Sequence, residues 1–355
     1  CLGYEDHVYD ALLDDYEPGM KTAEVTDVFA GLSGQLSSLV ARITEVRQVP
    51  DDFLTREYPV ELQETFGREI LRAIGFDFER GRLDVSAHPF TTTLGPHDVR
   101  LTTRYESNWF ESSLFGSIHE GGHGMYEQGF AESISGSILG DATSLGIHES
   151  QSRSWENIIG RSRPFWKRFY PRMRELFGSQ LADVSLEEFY RGINRVEPSL
   201  IRVEADEVTY SLHIVLRFEL EKALLAGDLS VEDLPAAWNE RMFQLLGIRP
   251  NNDADGVLQD IHWSAGLIGY FPTYALGNLY GAQFAAQMEK DVNGLDACIE
   301  RGDFQPILDW QRRHIHSKGR ILSAGQICEN STGERLNPAY FIDYLTRKYE
   351  EIYGL

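Results

Sequence analysis

A mostly α-helical fold with one small β-sheet is what this 355-residue sequence predicts. Three observations carry that expectation. Apolar residues recur at helical spacing along most of the chain, two strand-like alternations lie between residues 82 and 106, and helix-start chemistry precedes several periodic stretches. Hydrophobic residues make up 42% of the chain, which is enough for a sizeable core and far from the profile of a disordered segment.

Taken in order, Val8, Leu12 and Leu13 recur at helical spacing within Tyr4 to Tyr16. Residues 22–47 carry Val25, Val28, Phe29, Leu32, Leu36, Leu39, Val40 and Ile43 on one stripe, an amphipathic helix. Residues 59–74 repeat the pattern with Val60, Leu62, Phe66, Ile70 and Leu71. Leu83, Val85 and Ala87 then alternate with polar residues, Gly95-Pro96 punctuates, and Val99, Leu101 and Thr103 alternate again. That predicts a small sheet over about 82–106, its strands joined by a turn-rich connection. A helix is expected over about 107–130. Ser185 and Glu188 have capping-box spacing, while Ser230 and Asp233 open a stretch over 231–246 that Gly247 can close. The last helices are expected over 273–290, 305–323 and 338–352. No repeat or Pro/Ser linker divides the chain, so one mostly helical domain over 1–355 is expected.

A net charge of −22 with no basic run argues against a nucleic-acid partner. No apolar run approaches the ~20 residues of a membrane span. Three cysteines, at 1, 298 and 328, make neither a metal spacing nor an even disulfide set, which fits a reducing compartment and an expected cytoplasmic location. Residue 1 is Cys and no signal-like segment precedes the periodic part, so a fragment or processed chain is expected.

The sharpest feature is His119-Glu120-Gly121-Gly122-His123. On a helix the two histidines are separated by about 400° of rotation and ~6 Å of rise, so both imidazoles can share one ion. Glu120 points about 60° away from His123, within reach of a water on that ion but awkward as a ligand. Gly121 and Gly122 each cost a helix about 1 kcal/mol relative to Ala, which makes sense where something approaches the backbone. A catalytic zinc site typically has three protein ligands and an open position. Thirty residues after His119 stands Glu149, in the polar run His148 to Arg153, where neighbours can orient a ligand. The chemistry of such a site is amide hydrolysis, with Glu120 as general base and a Tyr and a His as candidates for stabilising the oxyanion.

Several segments together resemble one family, the thermostable metallocarboxypeptidases of the carboxypeptidase Taq type. They are His88-Pro89-Phe90, Asp98-Val99-Arg100-Leu101-Thr102, the pentad 119–123, His148-Glu149-Ser150-Gln151, Ile201-Arg202-Val203-Glu204-Ala205-Asp206, and Gly256-Val257-Leu258-Gln259-Asp260-Ile261-His262-Trp263. The resemblance implies a helical zincin-like metallopeptidase with a deep groove, working as a homodimer. It also implies release of single C-terminal residues from peptides with a free carboxylate, using Zn²⁺ or Co²⁺, one per chain. By motif match, His119, His123 and Glu149 look like the metal ligands, Glu120 the base, and His262 and Tyr274 the oxyanion donors. Exopeptidase action needs a cation for the terminal carboxylate, preferably a bidentate guanidinium. Arg202, Arg249 and Arg100 are the candidates, the first two ahead of Arg100, which is also suited to bracing the sheet.

Members of that family are about 500 residues long, and an N-terminal helical region of about 140 residues is expected to be absent here. Two rival functions follow: an endo-acting oligopeptidase with the same metal site, and a non-catalytic metal-binding remnant.

Overall fold

The computed structural model describes residues 3–355, so Cys1 lies outside it. Helix α1 (Asp10–Leu13) is short; α2 (Thr22–Thr44) is long and buries Val25, Phe29, Leu32, Leu36, Leu39, Val40 and Ile43 along the expected stripe. The Glu24 carboxylate accepts from the Lys21 amide at 3.1 Å and satisfies one of the donors left free at the start of α2. Helix α3 (Val60–Ile74) turns Phe66, Ile70, Leu71 and Ile74 inward and stops at Gly75, whose φ of 107° an L side chain resists.

Three strands follow: β1 (Gly81–Val85), β2 (Thr91–Gly95) and β3 (Asp98–Thr103). Their order is β1-β3-β2, with β1 parallel and β2 antiparallel to β3. Leu83, Val99 and Leu101 face the core. The turn-rich connection expected between two strands therefore contains a third. Its Thr91-Thr92-Thr93 run has no apolar alternation, and its placement comes from pairing with β3.

Helix α4 (Phe110–Glu127) lies against α3, β3 and α5 (Leu145–Arg153), and α5 runs on into one wide π turn, Ser154–Ile159. Helices α6 (Arg163–Leu176), α7 (Leu186–Gly192), α8 (Tyr210–Ala226) and α9 (Leu234–Leu246) come next. The capping box at Ser185 and Glu188 forms as its spacing predicts. Ser230 accepts from the Asp233 amide at 3.2 Å, which closes a turn ahead of α9 and delays the helix to Leu234. Helix α10 (Pro272–Asp291) packs on α5 and α8. It is followed by α11 (Leu295–Arg301), α12 (Gln305–His314), α13 (Ala324–Thr332) and α14 (Ala339–Tyr353).

The continuous helix expected over 305–323 is broken. Helix α12 ends at His314, and Gly319 adopts a φ of 46° so that the Arg320 amide can donate to the Leu139 carbonyl at 2.9 Å. One connected hydrophobic core links α2 through to α14. No described helix is long and apolar enough to cross a membrane.

Candidate metal centre and active site

Helix α4 is buried nearly all round, and its glycines explain how it fits. A Cβ on Gly122 would stand 2.6 Å from Cα of Ser152, and one on Gly121 would stand 2.5 Å from Cδ2 of Leu71. The two glycines therefore let α5 and α3 close on α4, and the approach of α5 carries Glu149 to the pentad.

His119, His123 and Glu149 offer ligand atoms that all lie within 4.8 Å of one another. Glu149 Oε2 is 3.5 Å from His123 Nε2 and 3.9 Å from His119 Nε2. Two imidazoles and one carboxylate oxygen are the donor set that zinc and related divalent ions take, so these residues fit a metal.

The remaining nitrogens are fixed. His119 Nδ1 is 2.8 Å from Glu156 Oε2, which locks its tautomer and aims Nε2 inward. His123 Nδ1 is bonded to His148 Nδ1, and His148 Nε2 to Glu127 Oε1 at 2.9 Å. Arg153 Nε donates to Glu149 Oε1 at 2.7 Å. Burial alone would raise the Glu149 carboxyl, but Arg153 and the two imidazoles outweigh it and hold the group well below its ordinary value. The same contest, decided by Arg153 and His119, brings Glu156 down to about 2. His123 is lowered to about 3, first by burial and then by His148, and so is neutral as a ligand must be.

Glu120 is 6% exposed and accepts from Thr91 Oγ1 at 2.6 Å. Burial raises its carboxyl above the ordinary value, which suits a proton acceptor. Glu120 and the three ligand-type residues line one cavity of about 750 Å³ together with His88, Tyr210, Tyr274 and Arg202.

The other expected residues divide. His262 Nε2 and Tyr274 Oη are hydrogen-bonded at 3.1 Å, with Tyr274 in the cavity wall and His262 behind it. Burial first, then Arg202, lowers His262 to about 4, leaving a neutral ring. Arg202 is buried and held by Asp260 Oδ1 through Nε at 3.0 Å and Nη2 at 2.8 Å, with Nη1 donating to Tyr210 at 3.1 Å. Arg249 and Arg100 are not brought to the cavity. Arg249 pairs with Glu240 at 2.7 Å on a half-exposed surface, and Arg100 grips Asp98 with two bonds of 2.8 Å on β3. Glu156, Arg153 and Thr91 are additions that the sequence reading did not single out.

The fold and the donor cluster together define a helical metallopeptidase. A family model described as Carboxypeptidase Taq (M32) metallopeptidase matches residues 1–349, and the chain belongs to that family: it is a metallocarboxypeptidase. Membership implies a divalent metal and a peptide substrate. The chain is 53% identical to thermostable carboxypeptidase 1 of Thermus thermophilus, over 98% of its own length and 68% of that protein's. It is 47% identical to carboxypeptidase 1 of Bacillus subtilis, over 99% of the chain and 71% of that protein. The crystal structure of the M32 carboxypeptidase from Deinococcus radiodurans superposes with a TM-score of 0.96 at 43% identity, covering 98% of this chain and 70% of that one.

Proposed function

We propose that the chain releases single amino acids from the free C-terminus of peptides, with one Zn²⁺ or Co²⁺ held by His119, His123 and Glu149. The observation that carries this reading is the convergence of those three donors on one side of a cavity that also holds Glu120 and Arg202. A divalent ion held by these residues would supply polarisation of the scissile carbonyl and acidification of water. Glu120, held by Thr91, accepts the proton of the attacking water and returns it to the leaving amine. Tyr274 donates to the oxyanion, and neutral His262 donates with it or through it, so that charge developing on the carbonyl oxygen meets fixed dipoles. Arg202 has its Nε edge committed to Asp260, and the Nη edge takes the substrate carboxylate.

The test pairs a free peptide with its C-terminally amidated twin, each incubated with Zn²⁺- or Co²⁺-loaded protein and followed by mass spectrometry. Stepwise loss from the free peptide alone is expected. Internal cuts in both would replace this reading with an endo-acting oligopeptidase. No cleavage with one metal bound per chain would point to a binding role. A homodimer and a cytoplasmic location belong to the same proposal, the first checked by sedimentation and the second by fractionation of the source cells.

A further inference from the structure

The two oxygens of Glu149 face different partners. Oε2 is the atom directed at the Nε2 atoms of His123 and His119, at 3.5 and 3.9 Å, while Oε1 accepts from Arg153 Nε at 2.7 Å. Arg153 stands one helical turn after Glu149 on α5, with only 14% of its side chain exposed. Its guanidinium is fixed from two further directions. Nη1 reaches Glu156 Oε2 at 3.3 Å, the oxygen that also holds His119 Nδ1, and the carbon of the group lies 4.2 Å from the centre of the Tyr210 ring. A charge-assisted bond in so confined a place is not readily exchanged. Behind Glu149, Gly277 backs its Cβ and Cγ so closely that a methyl group there would stand 2.6 Å from each.

We infer that Arg153 confines Glu149 to ligation through one oxygen, and so sets the coordination number of the metal centre. The inference rests on the ligand set proposed above. Two imidazoles and a single carboxylate oxygen leave a fourth position open for water and substrate. A carboxylate using both oxygens would occupy an additional position on the ion. Arg153 lines the same cavity, and the role assigned to it is positioning: it acts through Glu149 and, by way of Glu156, through His119.

The experiment is the visible absorption of the Co²⁺-loaded protein, because four-coordinate cobalt absorbs more strongly and at longer wavelength than five-coordinate cobalt. Arg153→Met frees Oε1, and its band is expected to weaken and move to shorter wavelength with one Co²⁺ still bound per chain. Arg153→Lys, which can offer one ammonium donor to Oε1, is expected to return the band towards that of the parent. An Arg153→Met spectrum identical to the parent's at equal metal content overturns the inference. Should that variant fail to fold, crystals of the zinc-loaded parent decide: Zn²⁺ within about 2.0–2.2 Å of Oε2 alone supports one-oxygen ligation, and contact with both oxygens overturns it. A parent that takes up no Co²⁺ fails at the ligand set itself, an outcome separate from any change in the Arg153 variants.

Discussion

Gly277 of α10 and Glu149 of α5 meet with no room for a methyl group between them: a Cβ at residue 277 would stand 2.6 Å from both Cβ and Cγ of Glu149. Glu149, the proposed third ligand, is therefore backed by main chain on its α10 side. A small residue in the long helix packed against α5 limits where the Glu149 side chain can lie.

Gly277→Ala should push Glu149 off that line. Overpacking of this kind costs about 1–3 kcal/mol, and displacement of a ligand should lower metal affinity about 10–100-fold. Competition with a chromophoric chelator measures the second effect, and thermal unfolding of the metal-free protein measures the first.

Glu120→Gln should keep the metal and lose the reaction. The amide preserves the acceptor for Thr91 but cannot take a proton, so kcat should fall about 10²–10⁴-fold. Elemental analysis beside steady-state rates separates loss of the base from loss of the ion. Parent-like turnover would remove Glu120 from its role.

Thr91→Val should move the acid limb of kcat/KM to higher pH. Burial already raises the Glu120 carboxyl and the Thr91 hydroxyl opposes that rise, so deleting the hydroxyl makes the carboxylate form harder to reach. A displacement in that direction is expected, with Thr91→Ser restoring the parent profile.

Which of these residues the sequence discloses depends on how they are brought together. His119, Glu120 and His123 share one helical turn and are legible from spacing alone. Glu149 is legible because it stands in a polar run, and Arg153 and Glu156 lie four and seven residues further on. Their relation to it was open to the same helical arithmetic. Thr91 leaves no local trace, because strand register delivers it and its strand lacks an apolar pattern. Helices α2 and α3 are close to their predicted limits, since one buried stripe writes each of them. The break after His314 is not visible in the same way: the segment beyond it is held by a bond from the Arg320 amide to the carbonyl of Leu139, remote in sequence. Arg100 has an acid two residues before it and Arg249 one nine residues before it, and both pair there instead of at the cavity.

Tyr274→Phe should lower kcat about 10²–10³-fold while leaving KM nearly unchanged, because the phenol is proposed to engage charge that exists only in the transition state. A rise in KM alone, with kcat kept, would make Tyr274 a binding residue and not an oxyanion donor.

Glu17 should impose a pH dependence on stability away from the chemistry. Its carboxylate accepts from the Gly146 amide at the start of α5, and burial raises it from an ordinary 4.5 to about 8. Between those values the folded protein keeps a proton that the unfolded chain gives up. The contribution is therefore whole below about pH 4.5 and is lost as pH rises towards 8, by on the order of a few kcal/mol. Glu17→Gln should flatten the fall in Tm between pH 5 and pH 8. The slope is the readout, and an unchanged slope would refute the assignment.

The seating of α10 on α5 also bears on how the enzyme comes to be loaded. Until residues 272–291 have docked, Gly277 does not back Glu149, and the pentad offers its two proposed histidine ligands without a fixed third. Closing so long a stretch of chain is among the slower events of folding. Capture of the ion should therefore follow tertiary assembly and not nucleate it. During refolding, metal uptake should lag behind the recovery of helical signal, and a chelator present from the start should leave the apo fold intact while preventing only the final step.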